Sequence, residues 1–136
     1  MSEQSYPQKE LCKQKGIRQA EDELVILIQD ALDKTSYGDL EESQFRNLVR
    51  VSETTESAEV IKNFIRYQVG RDKKWGKGKG SLAERIIVDI DGNIKKNSQA
   101  IAECCQTDYK LVWLELIRRY LGYGARHLKY LRDGKS

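Results

Sequence analysis

Arg71, Lys73, Lys74, Lys77 and Lys79 fall within a ten-residue run that also holds Gly76, Gly78, Gly80 and Trp75. Residues of these types at this density suit a polyanion. Ammonium groups so close together repel one another and resist burial. The glycines keep the backbone mobile and its N–H groups accessible, and an indole offers a flat face to a base or a ribose. Lysine is a flexible point charge, good for phosphate and poor for reading a base edge, so the loop is expected to supply affinity without sequence choice. The competing reading of the same charges is a solvated loop that serves solubility alone.

Bond-making chemistry has little to work with. The Lys/Gly run lacks the Gly-Lys-Ser/Thr ending of a phosphate-binding P-loop, and no Gly-x-Ser-x-Gly, His-Glu-x-x-His or Cys-x-x-Cys pattern occurs. His127 is the single histidine, so a zinc site of His and Cys at standard spacing cannot be assembled. Asp89 and Asp91 are two residues apart and point in different directions on a helix, which argues against a shared metal. Cys12, Cys104 and Cys105 are odd in number and two are adjacent, which suggests free thiols in a reducing compartment. The expectation is a protein that is no enzyme, with no metal, cofactor or small-molecule substrate.

Charge is divided unevenly along the chain. Residues 1–70 carry 9 Lys+Arg against 13 Asp+Glu, and residues 71–136 carry 15 against 8, although the net charge is only +3. One basic face for phosphates and one acidic face for a protein neighbour would follow from this split. At 136 residues, with 39% hydrophobic and 33% charged residues, the chain fits one small wet-surfaced domain. No apolar run reaches the roughly 18 residues that span a bilayer. The polar start has no apolar stretch of a signal peptide, so a cytoplasmic location is expected.

The elements that must carry the basic run read as helices, because Pro7 is the only proline. Residues 1–16 read as a polar N-terminal arm, and residues 17–133 as an all-α single-domain bundle of about five helices with the Lys/Gly loop at 71–80. Leu24, Leu27, Ile28, Ala31 and Leu32 mark one face of a first helix that stops near Thr35 to Gly38. A short helix follows from Glu42 to Val51. Ser57 caps a third helix, with Val60, Ile61, Phe64, Ile65 and Val69 apolar and Lys62, Arg66 and Arg71 polar. Ser81 and Glu84 form a capping-box signature that opens a helix directly after the loop. Residues 85–95 also admit a hairpin, since the β-branched run is followed by Asp91-Gly92-Asn93; the capping box favours the helix. Asp108 or Thr107 caps a last helix with Leu111, Leu114, Ile117, Leu121, Leu128 and Leu131 inward. Arg118, Arg119, Arg126 and Lys129 lie outside, interleaved with tyrosines.

Two local runs resemble the small helical subunit of type III CRISPR interference complexes. Glu42-Ser43-Gln44-Phe45-Arg46-Asn47 looks like that family's Ser-Gln-hydrophobic-Arg helix start. Ile65-Arg66-Tyr67-Gln68-Val69-Gly70-Arg71 is similar to its Tyr-containing apolar run ending in Arg. The aromatic and basic closing helix is a further likeness, and the coverage is roughly residues 20–132. The resemblance implies a non-catalytic bundle that repeats along a filament of an antiviral effector complex. Such a bundle contacts neighbouring subunits and copies of itself, and binds guide or target RNA, with Arg46, Arg66 and Arg71 as carried-over positions. The Lys/Gly loop with Trp75 departs from that family's pattern. The full expected nucleic-acid set is therefore Arg46, Arg66, Arg71, Lys73, Lys74, Trp75, Lys77, Lys79, Arg118, Arg119, Arg126 and Lys129, with single-stranded or guide-paired RNA as the partner.

Two other classes stand beside this one. A DNA-binding regulator would use residues 42–70 as a helix-turn-helix, against which Glu53, Glu56 and Glu59 weigh. A helical protein–protein interaction module would use the acidic half and bind no nucleic acid.

Overall fold

The computed structural model describes residues 3–134. Helix α1 (Tyr6–Lys34) is followed by α2 (Glu42–Thr54), α3 (Ala58–Arg71), α4 (Leu82–Asp89), α5 (Lys95–Cys105) and α6 (Tyr109–Lys129). A π turn over Ile90–Ile94 fuses α4 and α5 into one rod, so the described residues form five rods, as expected. Asp91, Gly92 and Asn93 lie inside that turn, which rules out the hairpin. Among the described residues the sole β-type pairing is an isolated bridge between Ser36 and Ser81.

The N-terminal arm is a correction. Helix α1 begins at Tyr6, because Ser5 and Gln8 form a reciprocal capping box and Pro7 sits in the first turn, where its missing N–H costs nothing. Its 29 residues make a helix about 44 Å long. One inward stripe of Ile17, Leu24, Ile28, Ala31 and Leu32 runs along it.

Helix α6 is the central rod and packs along α1, α2 and α5. It buries Val112, Trp113, Leu116, Ile117, Tyr120, Leu121, Ala125 and Leu128, an apolar arc wider than a single stripe. Leu111 faces outward instead, 54% exposed. Close approach at Gly124 makes this packing possible: a Cβ there would lie 2.6 Å from the Phe45 ring of α2 and 2.7 Å from Ile28 of α1. Asp108 caps α6 by accepting from the Lys110 N–H.

Cys12 of α1 and Cys105 of α5 are joined by a disulfide across a sequence separation of 93, leaving Cys104 free and exposed. This corrects the expectation of three free thiols. Adjacency disfavours only a Cys104–Cys105 bridge; the helical rotation of about 100° per residue turns Cys105 toward α1 and Cys104 outward. The cysteines therefore give no support to a reducing compartment. No helix among the described residues is long and apolar enough to cross a membrane.

Candidate nucleic-acid interface

The basic loop between α3 and α4 is built around Trp75. Its ring is 2% exposed and packs 5.4 Å from Phe45, centroid to centroid. Trp75 is therefore a core anchor and no platform for a base, because an indole next to the Phe45 pocket is better removed from water than left on the surface. The backbone around it is pinned to the α1–α2 connection. Lys74 carbonyl accepts from Gly38 N–H, Gly80 carbonyl from Ser36 N–H, and Ser36 carbonyl from Leu82 N–H, at 2.9–3.1 Å.

The glycines serve this geometry. Gly76, Gly78 and Gly80 all have φ between 74° and 81°, a region that L side chains rarely adopt. A Cβ at Gly76 would also collide with the Ser36 carbonyl oxygen. The lysines alternate with these turns, which leaves Lys73, Lys77 and Lys79 exposed and Lys74 half-buried.

Helix α3 continues the same surface. Asn63, Arg66, Tyr67, Gly70 and Arg71 follow the i, i+3, i+4, i+7, i+8 spacing of one helix face, and all are exposed. Tyr67 is 59% exposed and is the aromatic that accompanies these cations. Sequence reasoning overlooked it in favour of Trp75. Six cations (Arg66, Arg71, Lys73, Lys74, Lys77 and Lys79) make no ion pair with an acid among the described residues.

The other expected contacts are mostly committed elsewhere. Arg118 donates to the Ser52 carbonyl at 2.7 Å and the Thr55 carbonyl at 3.0 Å, satisfying the C-terminal carbonyls of α2. It sits at the opposite end of α2 from Phe45, a helix of 13 residues and about 20 Å. Arg119 is clamped by Glu115 and by Glu21 of α1. Burial lowers its basicity, and these two acids more than reverse that, holding the guanidinium above its ordinary range. Arg46 pairs with Glu42 and Lys129 with Asp133. Among the described residues Arg126 has no acid partner, and it lies over the Tyr123 ring. Arg46, Arg118, Arg119 and Lys129 thus each have an intramolecular acid or carbonyl partner, which sets them apart from the loop cations.

One polar cluster was not anticipated. Asp89 is almost wholly buried; its carboxylate accepts from the Tyr120 hydroxyl at 2.6 Å and from Arg85 Nε at 3.0 Å, and Arg85 reaches on to Asp30 of α1. Burial pushes the Asp89 carboxyl above its ordinary 3.8, with Tyr120 and Arg85 pulling the other way. Asp91 instead turns to Lys62, which Glu59 also holds. The divergence of Asp89 and Asp91 follows their expected helical rotation. The Arg85–Asp89 spacing of four residues inside an apolar run was the available signal. Among the described residues no group of acids, His and Cys is arranged to hold a metal.

No protein-family model matches the chain, and neither a curated protein nor a solved structure matches it.

Proposed function

We propose that this protein is a non-catalytic RNA-binding module, which grips the backbone of single-stranded RNA along α3 and the loop that follows it. The observation that carries this reading is the run of exposed cations Arg66, Arg71, Lys73, Lys77 and Lys79 along α3 and the loop that follows it, with Tyr67 exposed on the same helix face as Arg66 and Arg71. These cations make no ion pair with an acid among the described residues, and an exposed phenol ring gives a base a face to stack on. The charges project from a pinned loop, so less ordering entropy is lost on binding than a free tether would lose.

The runs at 42–47 and 65–71 extend the proposal to a role: a small helical subunit of a type III CRISPR antiviral effector complex. In that role it works in the cytoplasm beside other subunits and copies of itself, on guide or target RNA. A cytoplasmic protein with the Cys12–Cys105 bridge would be unusual outside hyperthermophiles, whose intracellular proteins carry such bonds.

A salt series tests the grip. Six cations on single-stranded RNA set a limiting slope of about −4 for log K against log salt, so affinity falls by roughly 300-fold between about 50 and 200 mM. Affinity that barely changes over this range ends the proposal. Duplex DNA should compete poorly with single-stranded RNA, and Tyr67→Ala should weaken binding by about tenfold if one base stacks on the ring.

A further inference from the structure

The start of α2, the end of α3 and the loop enclose a crevice of about 180 Å³, with Gln44, Asn47, Arg71, Lys74 and Trp75 among its walls. Pockets for drug-sized ligands run to about 300–1,000 Å³, so this one has room for a single planar ring system. Trp75 is buried, yet among the described residues nothing accepts from its indole N–H. The Trp113 indole, by contrast, donates to the Ile90 carbonyl at 2.8 Å. A buried indole N–H normally has a partner. The Trp75 N–H is not sealed inside the protein, because Gln4 Oε1 is the one fully enclosed side-chain N or O atom left unpartnered among the described residues. It therefore keeps a small exposure, and Trp75 is one of the residues that line the crevice.

The remaining lining atoms have a definite polarity. Gln44 Oε1 already accepts from the Glu41 N–H and Asn47 Oδ1 from Arg50, which leaves the NH2 groups of both amides free to donate. Arg71 and Lys74 add charged donors. One acceptor stands among them: Asp72 uses Oδ1 for the Lys74 N–H at 2.9 Å and keeps its second oxygen. A carboxylate in the wall disfavours a bare phosphate inside the crevice. Guanine fits this donor and acceptor set, because O6 and N7 accept while N1–H and the 2-amino group donate.

We propose that the crevice takes one guanine base of the RNA held on the lysine loop. O6 and N7 receive hydrogen bonds from the Arg71, Trp75 and amide donors, and the N1–H and 2-amino edge faces Asp72. This assignment rests on the RNA-binding reading and adds base choice to a surface that otherwise reads only charge.

Fluorescence anisotropy with a short oligouridine, and the same oligomer carrying one central guanosine, tests it at fixed salt. The guanosine oligomer is expected to bind about tenfold more tightly, with an equal salt slope for both. Inosine in its place, lacking the 2-amino group, loses part of the gain. Asp72→Asn keeps the oxygen that accepts from Lys74 and should abolish the preference without lowering the unfolding midpoint. Trp75→Phe, with its midpoint read alongside, should reduce the preference as well. Equal affinities with a steep salt dependence overturn the guanine site and leave the backbone grip standing. No binding of either oligomer overturns both, and a preference that survives Asp72→Asn overturns the assignment.

Discussion

The α3–loop surface and helix α6 carry cations at comparable density and leave them in opposite states. Along α6, Arg118 is spent on carbonyls at the end of α2, Arg119 on Glu115 and Glu21, and Lys129 on Asp133. Around the loop, Arg66, Arg71 and the four lysines meet no such partner among the described residues. The difference comes from position. Helix α6 runs through the middle of the bundle, so Arg118 meets the end of α2 and Arg119 meets Glu21 of α1, while Glu115 and Asp133 supply local partners four residues away. The loop closes one end of the bundle, where its neighbour is the Ser36–Gly38 backbone, and that offers hydrogen bonds but no acid. Charge count therefore says how basic a segment is, and packing says whether the charge is available.

The largest test removes the anchor on which the loop surface depends. Trp75→Ala should cost about 3–5 kcal/mol in denaturant unfolding, as for a buried aromatic; a change near zero would mean that the ring is not in the core. Next comes charge reversal. Lys73, Lys77 and Lys79 changed together to Glu should lower RNA affinity about a hundredfold. The midpoint of unfolding should barely move, since exposed sites usually shift stability by about 0.5 kcal/mol or less. The same reversal at Arg119 and Lys129 should leave affinity almost intact, and equal losses at both places would erase the contrast drawn here.

A third test inverts the readouts. Arg118→Met should destabilise by about 1.5–3 kcal/mol, because two carbonyls lose a charged donor, while RNA affinity stays unchanged. The smallest effect concerns the buried cluster beside α6. Tyr120→Phe should cost about 1 kcal/mol at neutral pH and move the NMR midpoint of Asp89 further up, since the Tyr120 hydroxyl is the strongest pull opposing burial. The sign for stability follows from the raised folded value. The Asp89 contribution is fully present below the ordinary 3.8 and is lost as pH rises through the folded pKa. A midpoint that falls in the variant contradicts the hydrogen bond.

Local signals were legible wherever they act within a few residues. Ser57, Ser81 and Asp108 each accept an N–H that a helix start leaves free, Asp108 being the one of the Asp108/Thr107 pair that caps. The Ser5–Gln8 box was equally local, but the polar composition of residues 1–16 obscured it. Trp75 was misread because a tryptophan among lysines and glycines has the same composition whether its ring points out or in. Phe45, thirty positions earlier, decides the matter. Cys105 was misread for the same reason, since its partner lies 93 residues away.

The chain's own pattern settled that it is helical, where most rods begin, and that its second half is the basic one, because capping, periodicity and charge are properties of near neighbours. Tertiary structure alone settled that Arg118 and Arg119 are held by α2 carbonyls and by Glu21, which tryptophan leaves its N–H without an acceptor, and that Tyr67 is an exposed aromatic on the face of α3 that leads into the basic loop. Those outcomes depend on which distant acid, carbonyl or ring arrives at each side chain when the helices pack.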